Sequence, residues 1–105
     1  MKNEFFSYNS RLGIHLPRVS KDWPSYSSGE QEIILLEWER VRGMIPDRIQ
    51  EIEVEIERLQ AALAQEDNFD RSCMINGEIS ERASEINDLW IWYRTTPDKT
   101  QRGMM

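Results

Sequence analysis

Residues 45–93 read IPDRIQEIEVEIERLQAALAQEDNFDRSCMINGEISERASEINDLWIWY, and the spacing of apolar positions in this stretch decides the fold. Ile45, Ile49, Ile52, Ile56, Leu59 and Leu63 recur at alternating steps of four and three. Ile79, Ala83, Ile86, Trp90 and Tyr93 repeat that alternation on the far side of a short polar link, Glu66-Asp67-Asn68-Phe69-Asp70. Such spacing marks the narrow seam of a coiled coil rather than the broad stripe of a generic surface helix. Reversing the chain at the link sets Ile45 opposite Tyr93, Ile49 opposite Trp90, Ile52 opposite Ile86 and Ile56 opposite Ala83. The expected core is an antiparallel, coiled-coil-like helical hairpin with helices over about 46–66 and 71–95. Asp70 is the expected N-cap of the second helix and Pro97 its stop. Gly77 inside that helix costs about 1 kcal/mol relative to Ala, so Asn76-Gly77 is a competing start.

Upstream, Ser27 with Glu30 and Ser28 with Gln31 both fit the capping-box spacing, which predicts a shorter helix over about 29–43. Ile34, Trp38 and Val41 share one of its faces, and Ile33, Leu35 and Leu36 widen that face. Arg42-Gly43-Met44-Ile45-Pro46-Asp47 then reads as a break or sharp kink, with one long helix bent at Pro46 as the alternative. Gly43 suits a helix C-terminus, and Pro46 and Asp47 suit the first turn of the next helix.

Residues 1–28 show no sustained period. Phe5, Phe6 and Tyr8 cluster, and Leu12, Ile14 and Leu16 alternate with Gly13 and His15 until Pro17. With no partner strand evident, this region reads as an extended N-terminal arm whose apolar residues cover part of the helical core. Trp23-Pro24 followed by serines reads as a turn into the first helix. Residues 97–105 are polar and unpatterned and read as a frayed tail.

Composition narrows the function. The net charge of −6 conceals a division: residues 29–93 hold sixteen acids against six arginines, while each end is about +2. The division reads first as a solvated acidic hairpin with the basic ends lying against it. The sharper alternative is a surface that attracts basic partners and repels phosphate backbones, and no nucleic-acid partner is expected. No run reaches transmembrane length and the first thirty residues lack a signal-peptide core, so no membrane association is expected. One cysteine forms no intramolecular disulfide, which makes the cytoplasm the expected compartment.

Chemistry-bearing residues are few. With one His and one Cys, no zinc site assembles from the usual ligands, and the five glycines form no phosphate-binding loop. His15 and Cys73 lack any surrounding motif of a nucleophile and base. The carboxylates Glu51, Glu53, Glu55 and Glu57 flank the seam as a solvated face. No catalytic residue, cofactor or metal ligand is therefore expected, and the protein is not read as an enzyme.

The run Ile45-Pro46-Asp47-Arg48-Ile49, with the Glu-rich helix after it and a returning helix ending in aromatics, resembles the C-terminal coiled-coil hairpin of some ABC-type ATPases. The likeness covers about half of the chain. That family's nucleic-acid role implies a basic surface, and this hairpin departs from the pattern by being acidic.

The resulting expectation is an all-α, non-catalytic protein working through protein–protein contacts, with a homodimer as one way to bury its open seam. Trp92 falls off the seam and is expected to be buried under the arm or the first helix, near Trp38 or Trp23. As the alternative, Trp23, Trp38, Ile91 and Trp92 are the candidate partner interface, because Trp dominates interface hot spots. Two alternatives accompany it. One is a regulator whose acidic helical face occupies a basic site on a nucleic-acid enzyme. The other is nucleic-acid binding through the basic arm and tail.

Overall fold

A computed structural model describes residues 5–18 and 21–97. In chain order it contains strands β1 (Phe6–Asn9) and β2 (Ile14–Pro17), a short 3-10 turn (Trp23–Ser25), and helices α1 (Ser28–Arg42), α2 (Ile45–Gln65) and α3 (Phe69–Tyr93).

α1 starts where its capping box says it should. The Ser27 hydroxyl accepts from the Glu30 amide at 3.1 Å, and the Glu30 carboxylate accepts from the Ser27 amide at 2.9 Å. Two orphan donors of the first turn are satisfied in this way. At the other end, Gly43 (φ −65°, ψ −17°) and Met44 (φ −89°, ψ −11°) both stay in the right-handed region. The chain therefore bends between α1 and α2 without reversing, giving one long helical run interrupted at two residues. Pro46 lies in the first turn of α2, where its missing N–H costs nothing.

The all-α expectation needs correcting at the N-terminus. Residues 6–17 form an antiparallel two-stranded sheet, with Phe6 opposite Pro17 and Asn9 opposite Ile14. The partner strand for Ile14 to Leu16 is the aromatic cluster itself. The four-residue loop closes because Asn9 accepts the Leu12 amide through its side chain (2.9 Å) and the Gly13 amide through its carbonyl (2.7 Å). Gly13 sits at φ +75°, the left-handed conformation that a residue with a Cβ resists. Phe6, Leu12 and Ile14 turn inward and join Ile34, Trp38, Val41, Ile45, Ile49, Ile52 and Leu89 in one core. The N-terminal region is thus a β-hairpin built into the core rather than an extended arm, although it covers apolar surface as expected.

α3 differs from expectation in its start and its inward face. It begins at Phe69, capped by the Asn68 side chain, which accepts from the Arg71 amide at 3.0 Å, and it runs unbroken through Gly77. Along it, Glu85 and Leu89 are the buried positions, while Ala83 is exposed and Trp90 is 40% exposed. The inward row is Ile75, Ile79, Arg82, Ile86, Leu89 and Tyr93, one position away from the expected row at every second site. Pro97 is buried, and the remainder of the expected tail, 98–105, lies outside the described residues.

The molecule is elongated, 59 × 27 × 22 Å. The core cluster, with the partly buried residues against it, reaches outward only to Ile56 and Ile86. From there to the 66–68 link α2 and α3 have each other, and Leu59 is the one buried side chain between residues 57 and 84.

Candidate functional site

Two surfaces compete for the role of functional site: the aromatic end expected from sequence, and the outer half of the α2/α3 pair.

At the aromatic end the four named residues do not form one exposed patch. Trp38 is 1% exposed, and its Nε1 donates to the Thr95 carbonyl at 2.7 Å. Trp92 is half-buried with its ring 5.9 Å from that of Trp38, edge to face. Trp23 is half-buried beside Tyr26, at a centroid distance of 6.1 Å. Ile91 alone is well exposed, at 48%. Arg42 completes the arrangement, donating from Nε to the Tyr93 carbonyl at 2.7 Å with its guanidinium over the Tyr93 ring. The guanidinium from α1 thereby satisfies a carbonyl of the last residue of α3, where the helix dipole favours a cation, and the indole satisfies one two residues beyond it.

His15 lies exposed on β2 with its ring 5.1 Å from Tyr8, and Cys73 lies exposed in α3. No hydrogen bond links the two among the described residues. No group of three or more His, Cys, Asp or Glu among the described residues is placed to hold a metal ion. No helix is long and apolar enough to cross a membrane among those residues.

The β-hairpin loop defines the second surface, because it is anchored across the α2/α3 pair. Arg48 of α2 donates to the Leu12 carbonyl at 2.8 Å, close under Gly13. Arg11 reaches α3 and engages three side chains spaced along one face. Nε donates to Glu81 at 3.0 Å, Nη2 to Ser84 at 2.8 Å and Nη1 to Asp88 at 2.7 Å. One guanidinium thus spans two turns of helix, a geometry suited to its fork of donors.

Immediately outward of Glu81 the cover ends and an open groove of about 530 Å³ begins. Leu59 forms part of its floor, Met74 and Gly77 border it on α3, and Glu55, Glu78 and Glu81 supply carboxylates from both walls. It continues toward Ala62 and Ile75. Arg58 holds the Glu55 carboxyl below its usual range through a side-chain hydrogen bond. Glu78 makes no ion pair among the described residues. Arg82 lines the groove and binds Glu85, whose carboxylate is buried, at 2.6 Å, while its own Nε is buried without a partner.

From Glu51 to Glu81 nine acidic residues stand against Arg58 and Arg71, a net of −7. That span alone therefore outweighs the net charge of the whole chain.

Sequence reasoning pointed to the acidic helices but not to the groove. The exposed Met74 and Gly77, one turn apart beside Glu78 and Glu81, were the available signal.

No family model, no curated protein and no solved structure matches this chain.

Proposed function

We propose that the chain is a non-catalytic cytoplasmic protein that works by binding another protein through the outer half of α2 and α3. In this reading the two helices are an antiparallel coiled coil held in one register by Ile49, Ile52, Ile56, Ile79, Ile86 and Leu89. One observation carries the proposal: this segment is long, acidic and, among the described residues, covered by no other element beyond the reach of the β-hairpin, yet bears exposed Val54, Phe69 and Met74. Exposed apolar side chains within a strongly charged surface are a composition that interfaces use.

The net of −7 favours a basic partner surface, and with it the reading of a regulator that occupies the basic site of a nucleic-acid enzyme. Direct nucleic-acid binding by the N-terminal region has less support, because Arg11 is engaged by carboxylates of α3.

The test is site-specific photo-crosslinking in native extract, with the crosslinker placed in turn at Val54, Met74 and Leu36. Adducts to a second protein are expected from positions 54 or 74 and not from 36 on α1. Adducts from 36 alone would transfer the working surface to α1, and an absence of adducts from all three would overturn the interaction reading.

A further inference from the structure

We propose that the loop over residues 10–13 is a clasp across α2 and α3, and that the outer half of the pair opens as one unit from the 66–68 link down to that clasp. The device needs no partner, so it is independent of the interaction reading above.

Three features of the pair support it. The first is where the polar ties run. Among the described residues no hydrogen bond or ion pair joins α2 to α3 directly. Arg48 and Arg58 bind Glu51 and Glu55 on their own helix, Arg82 binds Glu85 on its own, and the Arg71–Glu66 pair belongs to the link. Across the gap Arg58 and Glu78, and Arg82 and Glu55, attract without touching, and solvent screens them. The polar connection passes instead through the loop. It receives Arg48 of α2 on the Leu12 carbonyl and sends Arg11 to Glu81, Ser84 and Asp88 of α3. Several acceptors on one guanidinium make a network, which holds better than an isolated surface pair.

The second feature is burial. Inward of the clasp the two helices are backed by Ile45, Ile49, Ile52 and Leu89 of the common core. Outward of it Leu59 is the one buried side chain between residues 57 and 84, and the groove of about 530 Å³ lies open beside it. Few buried apolar contacts make local opening easy. The third feature is Gly77, inside the outer half of α3. A Cβ there would meet nothing within 4 Å, so the helix propensity lost to glycine is returned by no close contact.

Opening separates residues 57–65 from residues 69–81. Each piece is too short to stay helical alone, so its backbone hydrogen bonds break as the pieces part.

Native-state hydrogen exchange of the full chain tests this. Amides of 57–65 and 73–81 are expected to be at least about tenfold less protected than those of 49–56 and 82–89. Equal protection along both helices overturns the proposal, as does greater protection in the outer half. Gly77→Ala is expected to raise protection about fivefold on both outer arms, α2 included, and to leave the inner half unchanged. A rise confined to α3 would mean that the arms open separately, and overturns the single unit. Arg11→Ala is expected to lower protection severalfold over 53–56 and 82–86, moving the boundary inward. Glu81→Ala/Asp88→Ala removes the α3 side of the clasp and leaves the β-hairpin sequence intact. Alanine is the better helix former at both sites, so a loss of protection there reports the clasp and not the helix. This double variant decides the matter if Arg11→Ala also loosens the strands. A boundary that stays in place in it overturns the clasp.

Discussion

Trp38 reaches across 57 residues of sequence to donate to Thr95, while its ring packs against Trp92. Trp38→Phe keeps much of the buried apolar surface but removes the donor, leaving the Thr95 carbonyl without its partner. The expected loss is on the order of 1–3 kcal/mol, read from the denaturant midpoint, and an unchanged midpoint would mean that water replaces the indole at no cost. The carboxylates give a second expectation. A hydrogen bond from Arg40 holds the Glu37 carboxyl below its ordinary value, and the Asn68 amide, with Arg71, does the same for Glu66. Both folded values lie below the ordinary glutamate value, so their stabilising contribution is complete above that value. It is lost as pH falls through the lowered folded values. Melting temperature is accordingly expected to hold from neutrality to about pH 5 and then decline, with a shallower decline in Glu37→Gln/Glu66→Gln. Solvent screening at these surface sites keeps the effect small.

Among the elements, α3 is the most instructive, because two readings of its sequence share Ile79, Ile86 and Tyr93. They differ only at the sites between. Ala83 and Trp90 continue the apolar alternation on paper, whereas Arg82 and Leu89 lie inward in the fold. Arg82 misleads because its name is charged. Its guanidinium reaches one turn forward to buried Glu85, a solution that a hydropathy pattern does not register. The positions of the three helices were legible to within two residues, as were the capping box and the bend at Gly43. The β-hairpin was not legible, since its signal is one Asn9 closing a loop onto one left-handed Gly13, with only four residues in each strand. The groove was equally hidden, because it depends on how far the β-hairpin extends along α3. Leu89→Ala is expected to cost on the order of 2–5 kcal/mol in chemical denaturation, as other buried large-to-small changes do. Trp90→Ala, at a 40% exposed site, is expected to cost clearly less. The reverse order would reinstate the alternative row.

At the scale of the whole molecule the bend at Gly43 and Met44 has the widest reach. The dihedral angles at both residues differ from those of a regular helix by a few tens of degrees. Straightening them joins α1 and α2 into one rod over residues 28–65, about 57 Å long at 1.5 Å per residue. The straight form carries Trp38 and Arg42 away from the end of their own α3. A second chain opened in the same way would offer an identical α3 terminus, on which Trp38 and Arg42 would remake their contacts to Thr95 and Tyr93 in exchange. Such an exchange would be a domain-swapped dimer, with Gly43 as its hinge. A Cβ at Gly43 meets only the carbonyls of Glu39 and Arg40, at 3.5 and 3.6 Å, which is ordinary contact. Gly43→Ala therefore fits both forms while favouring continuous helix. At high concentration it is expected to shift the chain toward the exchanged dimer, visible as doubled mass with unchanged helical content. Persistence of the monomer would mean that the bend is held by packing on both sides rather than by the glycine.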